Sequence, residues 1–163
     1  MCLTGLLGMR IGDVIDLRLG DIDWEANRIM KAQCKTKKAL SLPLIDQVRE
    51  PLLDYLDKGR PECDDDHVLI RAIAPYTGYA SYSTFTKTIT NHMIKAGVDI
   101  AGRHHGSHSL RHSTASSLLA KGATIEEVSE VLGHSSVDST KVYLSLDAKT
   151  MRKLGLEVPH VER

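Results

Sequence analysis

The sequence predicts a mainly α-helical α+β domain carrying one small antiparallel hairpin, and three observations lead there. Only 4% of the residues are aromatic while 42% are apolar, so the core must be largely aliphatic, which suits helix packing. Apolar residues recur at helical spacing along most of the chain, above all in its last third. Strict alternation is confined to one place, where Leu40, Leu42 and Leu44 fall on one face of an extended run. A length of 163 residues suits a single domain.

The elements follow in order. Met1 to Leu7 reads as the end of an apolar helix, and Ile11, Val14, Ile15 and Leu17 make a second short one from Arg10 to Leu17. Turn residues fill Gly20 to Asn27. Arg28 to Gln33 and Ala39 to Leu44 are then two strands joined by a lysine-rich tip around Thr36. Val48, Leu52, Leu53 and Leu56 continue as a helix from Asp46, with Pro51 expected in its first turn and Gly59 and Pro61 as its stop. Val68 to Ile70 is a candidate buried strand, and Ala74 to Tyr82 is turn-rich. Ser83 or Thr84 can cap a helix ending at Gly97, and Ser107 can cap another that runs to Lys121. Thr124 with Glu127 forms a capping box for a helix that Gly133 terminates. Further helices are expected over 137–143 and 147–154.

Formal net charge is zero, yet the charges are segregated. Arg28 to Ser41 holds five basic residues and no acid, whereas Glu62 to Asp66 and Glu126, Glu127 and Glu130 concentrate negative charge. A neutral total therefore hides local positive fields of the kind that attract phosphate, although basic runs are also ordinary solvated surface. Cys2, Cys34 and Cys63 are odd in number and lack a CxxC pair, which argues against a disulfide framework or structural zinc and fits a reducing cytoplasm. No apolar segment is long enough to span a membrane, and no export signal opens the chain.

Chemistry concentrates in few places. In His108-Ser109-Leu110-Arg111 the i,i+3 spacing puts an imidazole and a guanidinium on one helix face, a pairing suited to an oxyanion. In Leu132-Gly133-His134 a helix-ending glycine holds the histidine on a tight turn, and Tyr143 follows nine residues later. Each residue alone also fits a structural role: Tyr143 in a core, Arg10 paired with Asp13 or Asp16, Lys35 beside Lys37 and Lys38 as surface.

Together they resemble the tyrosine site-specific recombinase (phage integrase) family, known for HxxR, then LGH, then a tyrosine about nine residues on. Gly8-Met9-Arg10-Ile11-Gly12-Asp13 to Leu17, followed by Gly20-Asp21-Ile22-Asp23, is similar to the segment that bears the family's first catalytic arginine. Lys35-Thr36, ahead of Leu42-Pro43-Leu44, resembles its lysine-bearing hairpin. The likeness covers nearly the whole chain in order and spacing. Leu7 stands where the family often has Thr, and Asp13 replaces the commoner Glu.

The resemblance implies the recombinase catalytic-domain fold over residues 1–163, N-terminally truncated and without the family's core-binding domain. It implies cleavage and rejoining of double-stranded DNA through a 3′-phosphotyrosyl intermediate. Arg10, Arg111 and His134 would hold the phosphate, Tyr143 would attack, His108 would relay the tyrosine proton, and Lys35 would be the general acid. Asp13 would support Arg10. No cofactor, metal or small-molecule substrate is implied. Self-association on DNA, as a tetrameric synapse, is expected through Asp147 to Leu156. His104, His105 and His112 match no part of the motif set. Three alternatives stand beside this: a catalytically incompetent DNA-binding fragment of a mobile element, a metal-binding protein built on His104, His105, His108 and His112, and a type IB topoisomerase. The small hairpin and the HxxR to LGH spacing look more like integrases than topoisomerases.

Overall fold

A computed structural model describes residues 1–102 and 105–133. The helices expected over 137–143 and 147–154, with His134, Tyr143 and the C-terminal segment, lie outside the described residues. Two short helices open the chain, α1 (Cys2–Gly5) and α2 (Ile11–Ile15). A three-stranded antiparallel sheet follows in the order β1 (Ile22–Asp23), β2 (Arg28–Ala32), β3 (Ala39–Pro43). Four longer helices complete the described chain: α3 (Asp46–Asp54), α4 (Ser83–Lys95), α5 (Ser107–Ala120) and α6 (Ile125–Leu132). None of the helices among the described residues is long and apolar enough to cross a membrane.

The hairpin pairs Ile29 with Leu42 and Lys31 with Leu40, so the alternation turns one face of the sheet inward. That face meets α1, α2, α3 and α4 in one aliphatic core around Met9, Leu17, Ile29, Leu42, Val48 and Val68. A smaller cluster of Ala115, Val128 and Leu132 joins α5 to α6. The Thr124 hydroxyl accepts from Glu127 N–H while the Glu127 carboxylate accepts from Thr124 N–H, closing the capping box.

Several local features differ from expectation. Pro51 is the sixth residue of α3, which begins at Asp46, so it sits in the second turn and removes the bond Gln47 O would have received. Tertiary packing of Val48 and Leu52 carries the helix through it. The helix on which Ser107 was expected as cap begins at Ser107 itself; Gly106, at φ +93°, precedes it, a conformation serine would enter only with strain. Val68 to Ile70 forms isolated bridges instead of a strand: Val68 N–H donates to Leu17 O at 2.8 Å, and Ile70 bridges Gly78. The two-residue β1 was not legible, being too short for any period to show.

Lys31 points inward from β2 with only 8% of its surface exposed. Its ammonium donates to the Asp16 carboxylate at 2.9 Å, to the Asp16 carbonyl at 2.7 Å and to Asp21 at 3.2 Å. Burial pulls the Lys31 pKa down, but its bonds to the Asp16 and Asp21 carboxylates outweigh that and leave it raised. The Lys31 bond in turn holds Asp16 below the ordinary carboxylate value. The Asp16 contribution is therefore present above the usual carboxylate range and lost as pH falls through its lowered value; that of Lys31 is lost only in strong alkali. Lys31→Met is expected to destabilise by about 2 kcal/mol near neutral pH. Urea unfolding should show the gap to the parent protein narrowing as pH falls below the usual carboxylate range and Asp16 takes up its proton.

Candidate active site

The site is assembled at the end of α6. Gly133 ends that helix in the left-handed conformation, at φ +60° and ψ +46°, presenting the carbonyls of Leu132 and Gly133 to side chains from elsewhere. Arg10, the residue before α2, donates through Nη2 to Gly133 O at 3.2 Å. Arg111, one turn into α5 and 6% exposed, donates through Nη2 to Leu132 O at 2.7 Å and through Nη1 to Gly8 O. Two guanidiniums, separated by 101 residues of chain, thus lie side by side on consecutive carbonyls.

Close packing makes that possible. Gly8 has φ +67°, and a Cβ there would come within 2.6 Å of a Leu132 methyl. Its absence lets the 8–10 segment approach α6 closely enough for Gly8 O and Arg10 to flank Arg111. One polar atom in this region is left over: Arg10 Nη1 is buried with no hydrogen-bond partner among the described residues. A buried donor of that kind is unfavourable unless a ligand takes it, and an anion is the natural acceptor.

The hairpin borders the same place. Lys35 is exposed at its tip, between Gln33 and Lys38, which close the turn through Gln33 N–H to Lys38 O at 2.9 Å. Asp13, 1% exposed, accepts the Cys34 N–H at 2.7 Å through Oδ1, and its Oδ2 has no hydrogen-bond partner among the described residues. Asp13 was expected to support Arg10 directly; here it ties α2 to the residue before Lys35. Burial pushes the Cys34 thiol up to about 11, and hydrogen bonds to Asp16 and Asp13 add to the effect, so it is a protonated thiol and no nucleophile near neutral pH. His108 is exposed one turn before Arg111 on α5.

Arg10 and Arg111 therefore meet, Asp13 and Lys35 border them through the hairpin, and His108 shares the helix of Arg111. His134 follows Gly133 in sequence, and it and Tyr143 lie outside the described residues. Gln33 was missed by reading the sequence. Its side chain is fully buried and donates to Leu132 O at 3.2 Å, the carbonyl that Arg111 also uses. The parity of β2 was the available signal, since Ile29, Lys31 and Gln33 share the inward face.

Among the described residues, ligand-bearing atoms gather only at Asp65, Asp66 and His67, within 4.8 Å of one another. Those carboxylates are already engaged. Asp66 pairs with Arg18, and the backbone N–H groups of His67 and Gly78 hold Asp65 far below the usual carboxylate range. His105, His108 and His112 belong to no such group among the described residues.

The model of the phage integrase family matches residues 1–150. This chain belongs to the phage integrase family. Among curated relatives, the candidate integrase/recombinase y4rF of Sinorhizobium fredii is 29% identical over 98% of this integrase-family chain, which spans 37% of y4rF. Among solved structures, the XerA recombinase superposes with a TM-score of 0.75 at 24% identity, over 96% of this chain and 57% of XerA. The XerH recombinase, solved in a post-cleavage complex with its palindromic difH substrate, superposes with the same TM-score of 0.75 at 22% identity, over 93% of this chain and 42% of XerH. At these identities the superpositions speak to fold, a mostly helical tyrosine recombinase catalytic domain with a small antiparallel sheet. The integrase-family chain spans about a third to three fifths of these relatives and covers part of that domain.

Proposed function

We propose that this chain carries the strand-transfer chemistry of a site-specific recombinase, cutting and rejoining double-stranded DNA through a 3′-phosphotyrosyl link. The observation that carries the reading is the arginine pair on consecutive carbonyls of one turn, with Arg10 Nη1 beside it buried and without a hydrogen-bond partner among the described residues. Two forked cations held on adjacent carbonyls of one turn suit the nonbridging oxygens of a phosphodiester, whose negative charge grows as phosphorus is attacked.

Tyr143 Oη forms the bond to phosphorus, and the bond from phosphorus to the 5′-oxygen breaks. His108 accepts the tyrosine proton, and Lys35 delivers a proton to the departing oxygen, leaving a free 5′-hydroxyl. His134 adds a donor to the phosphate clamp. The ester retains the energy of the broken bond, so attack by a 5′-hydroxyl reverses the step without ATP, and the reading assigns no cofactor. Double-stranded DNA is the partner, with self-association on it through Asp147 to Leu156.

The test is a nicked suicide duplex carrying the native attachment site. A covalent protein–DNA adduct is expected on a denaturing gel, and Tyr143→Phe is expected to lose it while keeping the parent's unfolding curve. Binding without any adduct would instead favour an incompetent DNA-binding fragment.

A further inference from the structure

Gln33 closes the tip that carries Lys35. Its backbone N–H donates to Lys38 O and its carbonyl accepts from Lys37 N–H, both at 2.9 Å, so the turn from 33 to 38 is sealed at this one residue. Its side chain then reaches out of the hairpin. Nε2 donates to Leu132 O at 3.2 Å, while Oε1 accepts the Thr36 hydroxyl from the residue after Lys35. The amide thus spans from the turn that Arg10 and Arg111 grip to the tip that presents the lysine. It has no room to move: a Cβ on Gly133 would lie 2.1 Å from Nε2, and the residue is fully buried.

From this we propose that Gln33 is a positioning residue that sets the distance between Lys35 and the arginine clamp; the inference rests on the functional reading above. An amide suits the task because one rigid planar group presents a donor and an acceptor at a fixed separation. Glutamate would face Leu132 O with a second acceptor, and leucine would fill the space while holding neither partner. Asp13, by taking the Cys34 N–H, restrains the same tip from its other side.

Sulfur in place of the scissile bridging 5′-oxygen separates positioning of the acid from every other role. Attack by Tyr143 then breaks a phosphorus–sulfur bond, and the thiolate departs without taking a proton. Gln33→Leu in the full chain is expected to slow adduct formation on the ordinary suicide duplex by about a hundredfold, within the range of a general acid's contribution. On the sulfur-bridged duplex it should react at the parental rate. Lys35→Ala should share that pattern, while Arg10→Ala should stay slow on both duplexes. Thr36→Val, a change at a half-exposed position that leaves the Gln33–Leu132 bond in place, should show the same rescue with a smaller defect.

Equal slowing of Gln33→Leu on both duplexes would overturn the inference, placing its effect on the clamp or the fold. So would an unchanged rate on the ordinary duplex. A parent protein that makes no adduct on either duplex would remove the functional reading, and the inference with it.

Discussion

Arg111→Ala is expected to reduce adduct formation by about a thousandfold, the scale of losing a transition-state donor at an oxyanion. It should also lower the unfolding free energy by about 3 kcal/mol. The two effects have one origin. Arg111 is almost wholly buried and gives one arm to Gly8 O and the other to Leu132 O, so it is a strut between the segment at Gly8, α5 and α6 and, in the proposed function, half of the clamp. Its loss leaves Gly8 O without that donor, while Leu132 O keeps the Gln33 amide. Arg111→Lys separates the roles. One ammonium retains the charge but cannot copy the planar fork that reaches two carbonyls, so activity should still collapse while part of the stability returns. Urea unfolding and single-turnover adduct formation measure both; a lysine variant as active as the parent would show that charge alone is enough.

Gly133→Ala is expected to be nearly as damaging, by a route that begins in the backbone. The left-handed conformation at φ +60° costs an alanine about 1 kcal/mol, and its Cβ would lie 2.1 Å from the buried Gln33 amide. Displacing that amide frees a buried donor and acceptor, so a total loss of about 3 kcal/mol is expected. Cleavage should fall below detection, because the carbonyls that hold Arg10 and Arg111 flank the altered residue. Pairing the change with Gln33→Ala makes room for the new methyl. The double variant should then be more stable than the sum of its parts, a coupling that denaturant titration reads directly. Additive losses would mean the two residues do not press on each other.

Much of the architecture was readable because it rests on local rules. The capping box at Thr124 and Glu127 involves residues three apart, the glycine ending α6 needs only its own conformation, and the β2–β3 hairpin declares itself by alternation. Where local rules competed with packing, reading failed: Pro51 was placed in a first turn and lies in the second, and Gly106, not Ser107, precedes α5. The candidate site divides in the same way. Motif spacing singled out Arg10, Lys35, His108 and Arg111, yet said nothing of Gln33, whose buried amide bonds a carbonyl 99 residues away. It likewise assigned Asp13 to Arg10, whereas the fold gives Asp13 the Cys34 N–H.

Read alone, the sequence determined the fold class, the order of most elements and the family resemblance, and it nominated candidate reactive residues, all from short windows and their spacing. Tertiary structure alone decided which partners those residues meet. Whether Arg10 and Arg111 share a turn depends on how closely the segment at Gly8 approaches α6, and that distance is set by packing between residues far apart in the chain. Hydrogen bonds act over about 3 Å, so contacts of this kind exist only once the core has closed.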